Sequence, residues 1–341
     1  MCELTKMEGM APWESSKNAL ENVLEAVAGE KIVILCDEEK IEVGRAFAAG
    51  AIALGLWARM IVLKTDRTPR TEIPERLLEV FSCKPDLYLN LFRESLEETP
   101  FRIRVIKMET RGRARLGHCP GVTLEMLSDG ALALTPEEHK NLQEKAEKLI
   151  ATLQGTVKVE IRNSAGTNLA LSTKNRPFFT DTKIDWKSLK WMNLPTGEVL
   201  VAPVENSLNG KIVVDMAIGG IGKLRKPLEV FVKDGRAMSV FSKDKETLRR
   251  VEETFGNDEW SNVVGEFAFG INSKARFVDE FLESEKTLGT VHVAFGSNTD
   301  MPKGKNRSRN HIDLLLSSPT VTVTKEDGSV FRVLNEGQFQ I

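Results

Sequence analysis

The sequence predicts two regions of different class: an α/β region on a doubly wound, mostly parallel sheet, then an α+β, strand-rich region dominated by antiparallel strands. Three observations carry this. Over the first third, short apolar runs alternate with helical periods, the pattern of βαβ units covered on both faces. A long charged helix follows. Beyond it, short alternating strands are separated by turn signals, among them the hairpin turns KDG and EDG. A chain of 341 residues is too long for one ordinary core. The boundaries read from these changes are 1–134 for the α/β domain, 135–154 for the connecting helix and 155–341 for the strand-rich domain.

In order, Asn18–Ala28 reads as an amphipathic helix and KIVILCD as a buried strand ending in an acidic residue. Ile41–Leu56 is a helix rich in small residues, ARMIVLKTD a second strand, Pro74–Phe81 a helix and PDLYLNLF a third strand. FRIRVIKM reads as a fourth. Ligands of such sheets bind beyond the carboxyl ends of strands. No GxGxxG or GxxxxGK[ST] follows any of these strands, so nucleotide binding has no support. Pro136–Leu153 is helical, with Thr135 placed to cap it and Pro136 at its first position. The later strands are TVKVEIRNSAG, GKIVVDMAIGG, LEVFVKDGRAMSVFS, TVHVAFG and TVTVTKEDGSVFRVL, interrupted by the helix Asp244–Phe255.

An apolar content of 41% with 28% charged residues is that of a folded, soluble protein. A net charge of -2 argues against a general nucleic-acid binder. No apolar run approaches a membrane span, and MCELTKMEGM lacks the pattern of a signal peptide, so the expected compartment is cytoplasmic. Cys2, Cys36, Cys83 and Cys119 are far apart, implying neither a disulfide framework nor a zinc ribbon.

The chemistry concentrates in the second half, which holds two of only four histidines. His311 and Asp313 stand two apart in a strand and project from one face, where an imidazole and a carboxylate can ligate a divalent metal. Read alone, the pair also fits a histidine held by a neighbouring carboxylate. His292 lies in the apolar strand TVHVAFG, Glu266 inside NVVGEFAFGIN, and Glu198 after the Pro–Thr–Gly turn that heads EVLVAPVEN. Buried carboxylates need a cation, whether Arg, Lys or metal. Glu205, in the loop-like PVENSLNG, is a weaker candidate. Two Glu, two His and one Asp suit a pair of divalent ions sharing a carboxylate and a water, the machinery of metal-dependent amide hydrolysis. Between the histidines lies a basic stretch with Lys303, Lys305, Arg307 and Arg309, which reads either as a solvated loop or as an anion-binding one, with Lys303 and Arg307 as candidate substrate contacts. His118 and Cys119, adjacent in RARLGHCPGV, read as structural.

In order, WMNLPTGEVLVAPVENSLNG, GEFAFGIN, TVHVAFG and NHIDLLL resemble the signatures of the two-metal aminopeptidases T and S, from about Trp191 to Ser318. That resemblance implies a cytoplasmic homodimeric metalloprotease that removes N-terminal residues from peptides. Its dinuclear site of zinc, cobalt or manganese would be bound by Glu198, Glu266, His292, His311 and Asp313, with Glu198 bridging and Glu198 and Glu266 as the catalytic carboxylates. One position departs from the family pattern: the catalytic tyrosine seven residues beyond the first histidine is replaced by Thr299, and the chain's one tyrosine is Tyr88. The sequence also resembles the ring-opening 2,5-dihydroxypyridine dioxygenase, a mononuclear non-haem iron enzyme with a His in place of Glu266. A metal- and anion-binding protein without turnover is the third reading.

Overall fold

The computed structural model describes residues 9–65, 67–185 and 190–341. Residues 1–8, which include Cys2 and most of the segment read for a targeting signal, and Asp66 at the end of ARMIVLKTD lie outside it.

The strand Lys31–Asp37 lies between Trp57–Leu63 and Leu87–Leu91, and all three run parallel. Its side chains alternate, with Ile32, Ile34 and Cys36 entering one core and Val33 and Leu35 another, so helices cover both faces as predicted. The strand read at FRIRVIKM is instead a helix, Thr99–Glu109. Pro100 lies in its first turn, and Phe101 and Val105, four apart, pack onto the core of Tyr88 and Leu116. The place of fourth strand goes to Arg115–His118, parallel to Leu87–Leu91, and a parallel pair requires a helical crossover of this kind. A fifth parallel strand, Trp191–Asn193, comes from beyond the long helix.

That helix, Pro136–Leu153, has the predicted entry: Thr135 accepts from the Glu138 N–H, and Glu138 returns a bond to the Thr135 N–H. It buries Leu142, Ala146, Leu149 and Leu153 in the core of the second half. There, eight-stranded and seven-stranded antiparallel sheets pack face to face. Val159, Ile161, Val230 and Val323 come from the first and Val199, Phe267, Val293 and Leu314 from the second. The KDG turn closes the hairpin of Leu228–Lys233 and Arg236–Ser242, with Asp234 and Gly235 both at positive φ. The fold is therefore mixed α/β, with a parallel five-stranded sheet followed by antiparallel strand-rich sheets. The second face of the seven-stranded sheet is turned away from this core. Among the described residues no helix is long and apolar enough to cross a membrane.

Candidate metal centre

Four neighbouring strands of the seven-stranded sheet carry the five candidate ligands: Glu198–Val201, Val264–Gly270, Val291–Gly296 and His311–Leu316. Gly270 stands opposite Glu198, Ala268 opposite His292, Ala294 opposite both Glu266 and Asp313, and Gly296 opposite His311. Alternation puts all five polar side chains on one face, and the small residues between them leave room for their convergence. The other face sends Val199, Phe267, Phe269, Val293 and Leu314 into the core.

One break in the alternation matters. A bulge between Val264 and Glu266 keeps Val264 in the core while turning Glu266 to the site. Its extra residue is Gly265, where a Cβ would stand 2.8 Å from the Gly296 carbonyl oxygen. Asn306 holds the bulge, donating to the carbonyls of Val264 at 2.8 Å and Gly296 at 3.0 Å, and Asn298 donates to that of Gly265 at 2.9 Å.

The ring nitrogens aim at carboxylates. His292 Nε2 lies 3.2 Å from Glu266 Oε1, 3.5 Å from Glu198 Oε2 and 3.9 Å from Asp313 Oδ1. His311 Nε2 lies 3.1 Å from Asp313 Oδ1 and 3.4 Å from Glu266 Oε2. The Nδ1–H of His311 donates to the Ser297 carbonyl at 2.8 Å, which leaves Nε2 as the free lone pair. Glu198, Glu266 and His292 offer ligand atoms within 4.8 Å of one another, as do Glu266, His311 and Asp313, and Glu285, His292 and Asp313. Glu266 is common to the first two groups.

Behind the site lies a fully buried lysine. Lys286 Nζ contacts Glu198 Oε1 at 2.5 Å, Glu285 Oε1 at 2.9 Å and Asp181 Oδ2 at 3.2 Å. Asp181 Oδ1 also accepts from the N–H groups of Gly197 and Glu198, each at 2.9 Å. Five carboxylates (Asp181, Glu198, Glu266, Glu285 and Asp313) thus gather here, and among the described residues the one ammonium in contact with any of them is Lys286, which touches three. Four negative charges are left over, and two divalent cations would balance them.

Without cations, protons are drawn in instead. Burial pushes Glu198 well above the usual carboxylate range against the pull of Lys286, with Asp181 and Glu285 adding to the rise. Burial opposes charge on His292, yet Glu266, Glu198 and Glu285 bring it up to about 9. For His311, Asp313 and Glu266 outweigh burial in the same way and hold it well above the ordinary imidazole value. Glu198 Oε2 remains buried with no hydrogen-bond partner while facing His292. An orphaned acceptor beside free imidazole lone pairs fits a cation.

A family profile described as thermophilic metalloprotease (M29) matches residues 135–339, more than half of the chain. The chain belongs to that family. Membership implies a divalent metal and a peptide-bond hydrolase, in line with the aminopeptidase T resemblance of the sequence. Among curated proteins no sequence matches. Two solved structures share the fold over nearly the whole chain. Wild-type AmpT from Thermus thermophilus is 17% identical with a TM-score of 0.70, covering 97% of this chain and 99% of that one. The 2,5-dihydroxypyridine dioxygenase from Pseudomonas putida KT2440 is 14% identical with a TM-score of 0.67, covering 96% of each.

Four of the five candidate ligands, Glu198, Glu266, His311 and Asp313, line a cavity of about 190 Å³ with Glu285, and its lining also includes His118, Trp191 and the helix residues Thr99, Arg102, Ile103 and Ile106. Of the two readings of the basic loop, its side chains match the solvated one. Lys303 and Arg307 are exposed and do not line the cavity, and Lys303 Nζ instead donates to the Asn175 carbonyl at 2.7 Å. Every second residue faces in, so Asn306, Ser308 and Asn310 are buried while Lys305, Arg307 and Arg309 meet solvent. Glu205 pairs through Oε2 with Arg176 at 2.7 Å and takes no part. Thr299 is exposed and outside the cavity, and Tyr88 is buried in the parallel sheet against Phe81, so neither supplies a phenol. His118 ends the strand Arg115–His118, and its Nδ1–H donates to Asn90 Oδ1. Cys119 is buried and its thiol is pushed well up by desolvation. Sequence reasoning missed Asp181, Glu285, Lys286 and Arg102. Glu285 and Lys286 sit in FLESEKTLG, whose dense charge reads as solvated surface.

Proposed function

We propose that the protein is an aminopeptidase that binds two divalent ions. In this reading Glu198, Glu266 and His292 hold one ion, Glu266, His311 and Asp313 hold the other, and Glu266 rather than Glu198 is the shared carboxylate. The observation that carries it is the pair of ligand groups with Glu266 in common on one sheet face. Bound ions of this kind supply an activated water and polarise the scissile carbonyl.

The chain's own residues do the rest. Lys286 and Asp181 orient Glu198, the first at its Oε1 and the second at its N–H, leaving Oε2 directed at the site. Ser297 fixes the tautomer of His311. Glu285 lines the cavity, its Oε1 is held by Lys286, and burial raises it above the ordinary carboxylate value. It is placed to take the proton of the attacking water and return it to the leaving amine. The exposed Phe231, Met238 and Phe241 on the edge hairpin form the apolar surface that supports pairing of two copies, testable by sedimentation of Phe241→Glu.

The test is elemental analysis of protein purified without chelator, beside hydrolysis of aminoacyl and dipeptide substrates. Two zinc, cobalt or manganese ions per chain are expected, one in His311→Ala and none in Glu266→Ala. Two ions retained in His311→Ala would sink the ligand assignment. A single iron with oxygen uptake would move the reading to the dioxygenase, whose fold this chain shares.

A further inference from the structure

We propose that Arg102 determines specificity by binding a carboxylate of the substrate, so that the cavity selects short peptides bearing one opposite the metal-binding face. This rests on the peptidase reading for the reaction, though not for the binding itself.

Arg102 stands on the helix Thr99–Glu109, whose residues Thr99, Arg102, Ile103 and Ile106 recur at helical spacing and form one wall of the cavity. It is only 8% exposed. Of its five N–H donors, one on Nη1 goes to the Ser95 carbonyl at 2.7 Å and one on Nη2 to Thr99 Oγ1 at 2.9 Å. Among the described residues the remaining three have no acceptor, and no carboxylate lies within ion-pair distance of the guanidinium.

The two nearby acids are committed elsewhere. Glu98 is gripped by Arg70 at 3.0 Å and by Arg93 at 2.5 Å. Glu94, also on the cavity wall, accepts from the N–H groups of Gly220 and Phe281, each at 3.1 Å. A buried guanidinium without an anionic partner is costly unless a ligand supplies one. Its planar fork matches a carboxylate.

The opposite wall carries Glu198, Glu266, Glu285 and Asp313 of the candidate metal centre. The cavity thus has carboxylates on the sheet side and the Arg102 guanidinium on the helix side, where Ile103, Ile106 and Trp191 add apolar lining. A short peptide fits with its amino end toward the sheet side and its carboxylate toward Arg102. The carboxylate can be the free C-terminus or an acidic side chain.

The experiment measures calorimetric binding of Ala-Leu, Ala-Leu-amide and Ala-Glu-amide to the chelated full-length protein, where no turnover interferes. Ala-Leu should bind at least about tenfold more tightly than Ala-Leu-amide, and Arg102→Met should erase that difference while Arg102→Lys keeps part of it. Arg102→Lys also covers the case in which Arg102→Met does not fold, as judged by circular dichroism. Equal binding of acid and amide, no binding of Ala-Leu, or a preference that survives in Arg102→Met overturns the inference. Arg102-dependent binding of Ala-Glu-amide as tight as that of Ala-Leu assigns the site to a side-chain carboxylate. Weak binding of Ala-Glu-amide beside tight Ala-Leu assigns it to the C-terminus. A metal-loaded enzyme that cleaves no peptide yet keeps the acid preference overturns the peptidase reading alone. One that cleaves acid and amide with the same KM and kcat overturns this inference alone.

Discussion

Replacing Lys286 by Met tests the charge balance on which the site depends. The substitution keeps a linear side chain of similar length and removes the only ammonium in contact with Glu198, Glu285 and Asp181 among the described residues. The lysine is 0% exposed and the side chains of its partners are 4–6% exposed, so water cannot replace it. Removing one partner of a buried ion pair costs about 3–5 kcal/mol. Three partners raise the cost, and proton uptake by Glu198 and Glu285 offsets part of it. The expected loss in the chelated protein is therefore about 3–5 kcal/mol, a large fraction of the roughly 5–15 kcal/mol that holds a typical protein folded. Urea unfolding in the presence of chelator, with the denaturant slope unchanged, reads this directly. Released from Lys286, Glu198 also loses its fixed rotamer, and ion affinity should fall about 10–100-fold. A loss below about 1 kcal/mol with ion binding intact would refute the argument, because the carboxylates would then be balanced by something other than this lysine.

Glu285→Gln should keep both ions and lower kcat by about 10²–10⁴-fold, while an unchanged rate would remove Glu285 from proton transfer. Asn306→Leu leaves the carbonyls of Val264 and Gly296 without their donor and frees the bulge that aims Glu266, so ion affinity should drop about 10–100-fold by competition with a chelating dye. Glu109 is buried, which raises it from 4.5 to about 8 against the bond from Asn90. Between these values the folded state keeps a proton that the unfolded chain releases, so stability falls as pH rises, by on the order of 5 kcal/mol for this group. Glu109→Gln should flatten the decline between pH ~5 and ~8 in urea unfolding, and an identical slope in the variant would exclude Glu109 as its source.

All five ligand candidates were legible because each broke a strong pattern. An acidic or imidazole side chain in an apolar, β-branched strand has few explanations, and strand parity alone put His311 and Asp313 on one face. The partners of those residues were not legible. Lys286 stands 88 positions from Glu198 and is surrounded by other charges in the sequence, so only tertiary folding distinguishes it from surface lysines. Arg102 was hidden by a different error. The alternation of Phe101, Ile103 and Val105 imitates a strand, whereas the decisive signals were Pro100 in the first turn and the need for a crossover helix before the next parallel strand. The basic loop misled through its outward residues. Lys303, Lys305, Arg307 and Arg309 drew attention by charge, while the inward Asn306 and Asn310, neutral and unremarkable in composition, carry the hydrogen bonds.

Core and candidate site are specified by the same register. In the strand His311–Leu316, Ile312 and Leu314 enter the core between the sheets while His311 and Asp313 face the cavity. A slip of one residue would send both polar side chains into that core and both apolar ones into the cavity, so hydrophobic burial itself selects the arrangement that gathers the ligands. The same holds for Val291–Gly296, where Val293 and Phe295 pack inward and His292 does not. Only the strand Val264–Gly270 needs more than alternation, since Val264 and Glu266 share a parity yet must face opposite ways. The bulge resolves this conflict, and its demands fall on Gly265 and on Asn306 rather than on any ligand. Positioning of Glu266, which belongs to two of the ligand groups, is thus the one part of the five-residue ligand set that the hydrophobic pattern does not supply, and Asn306 in the loop between the two histidines helps to supply it.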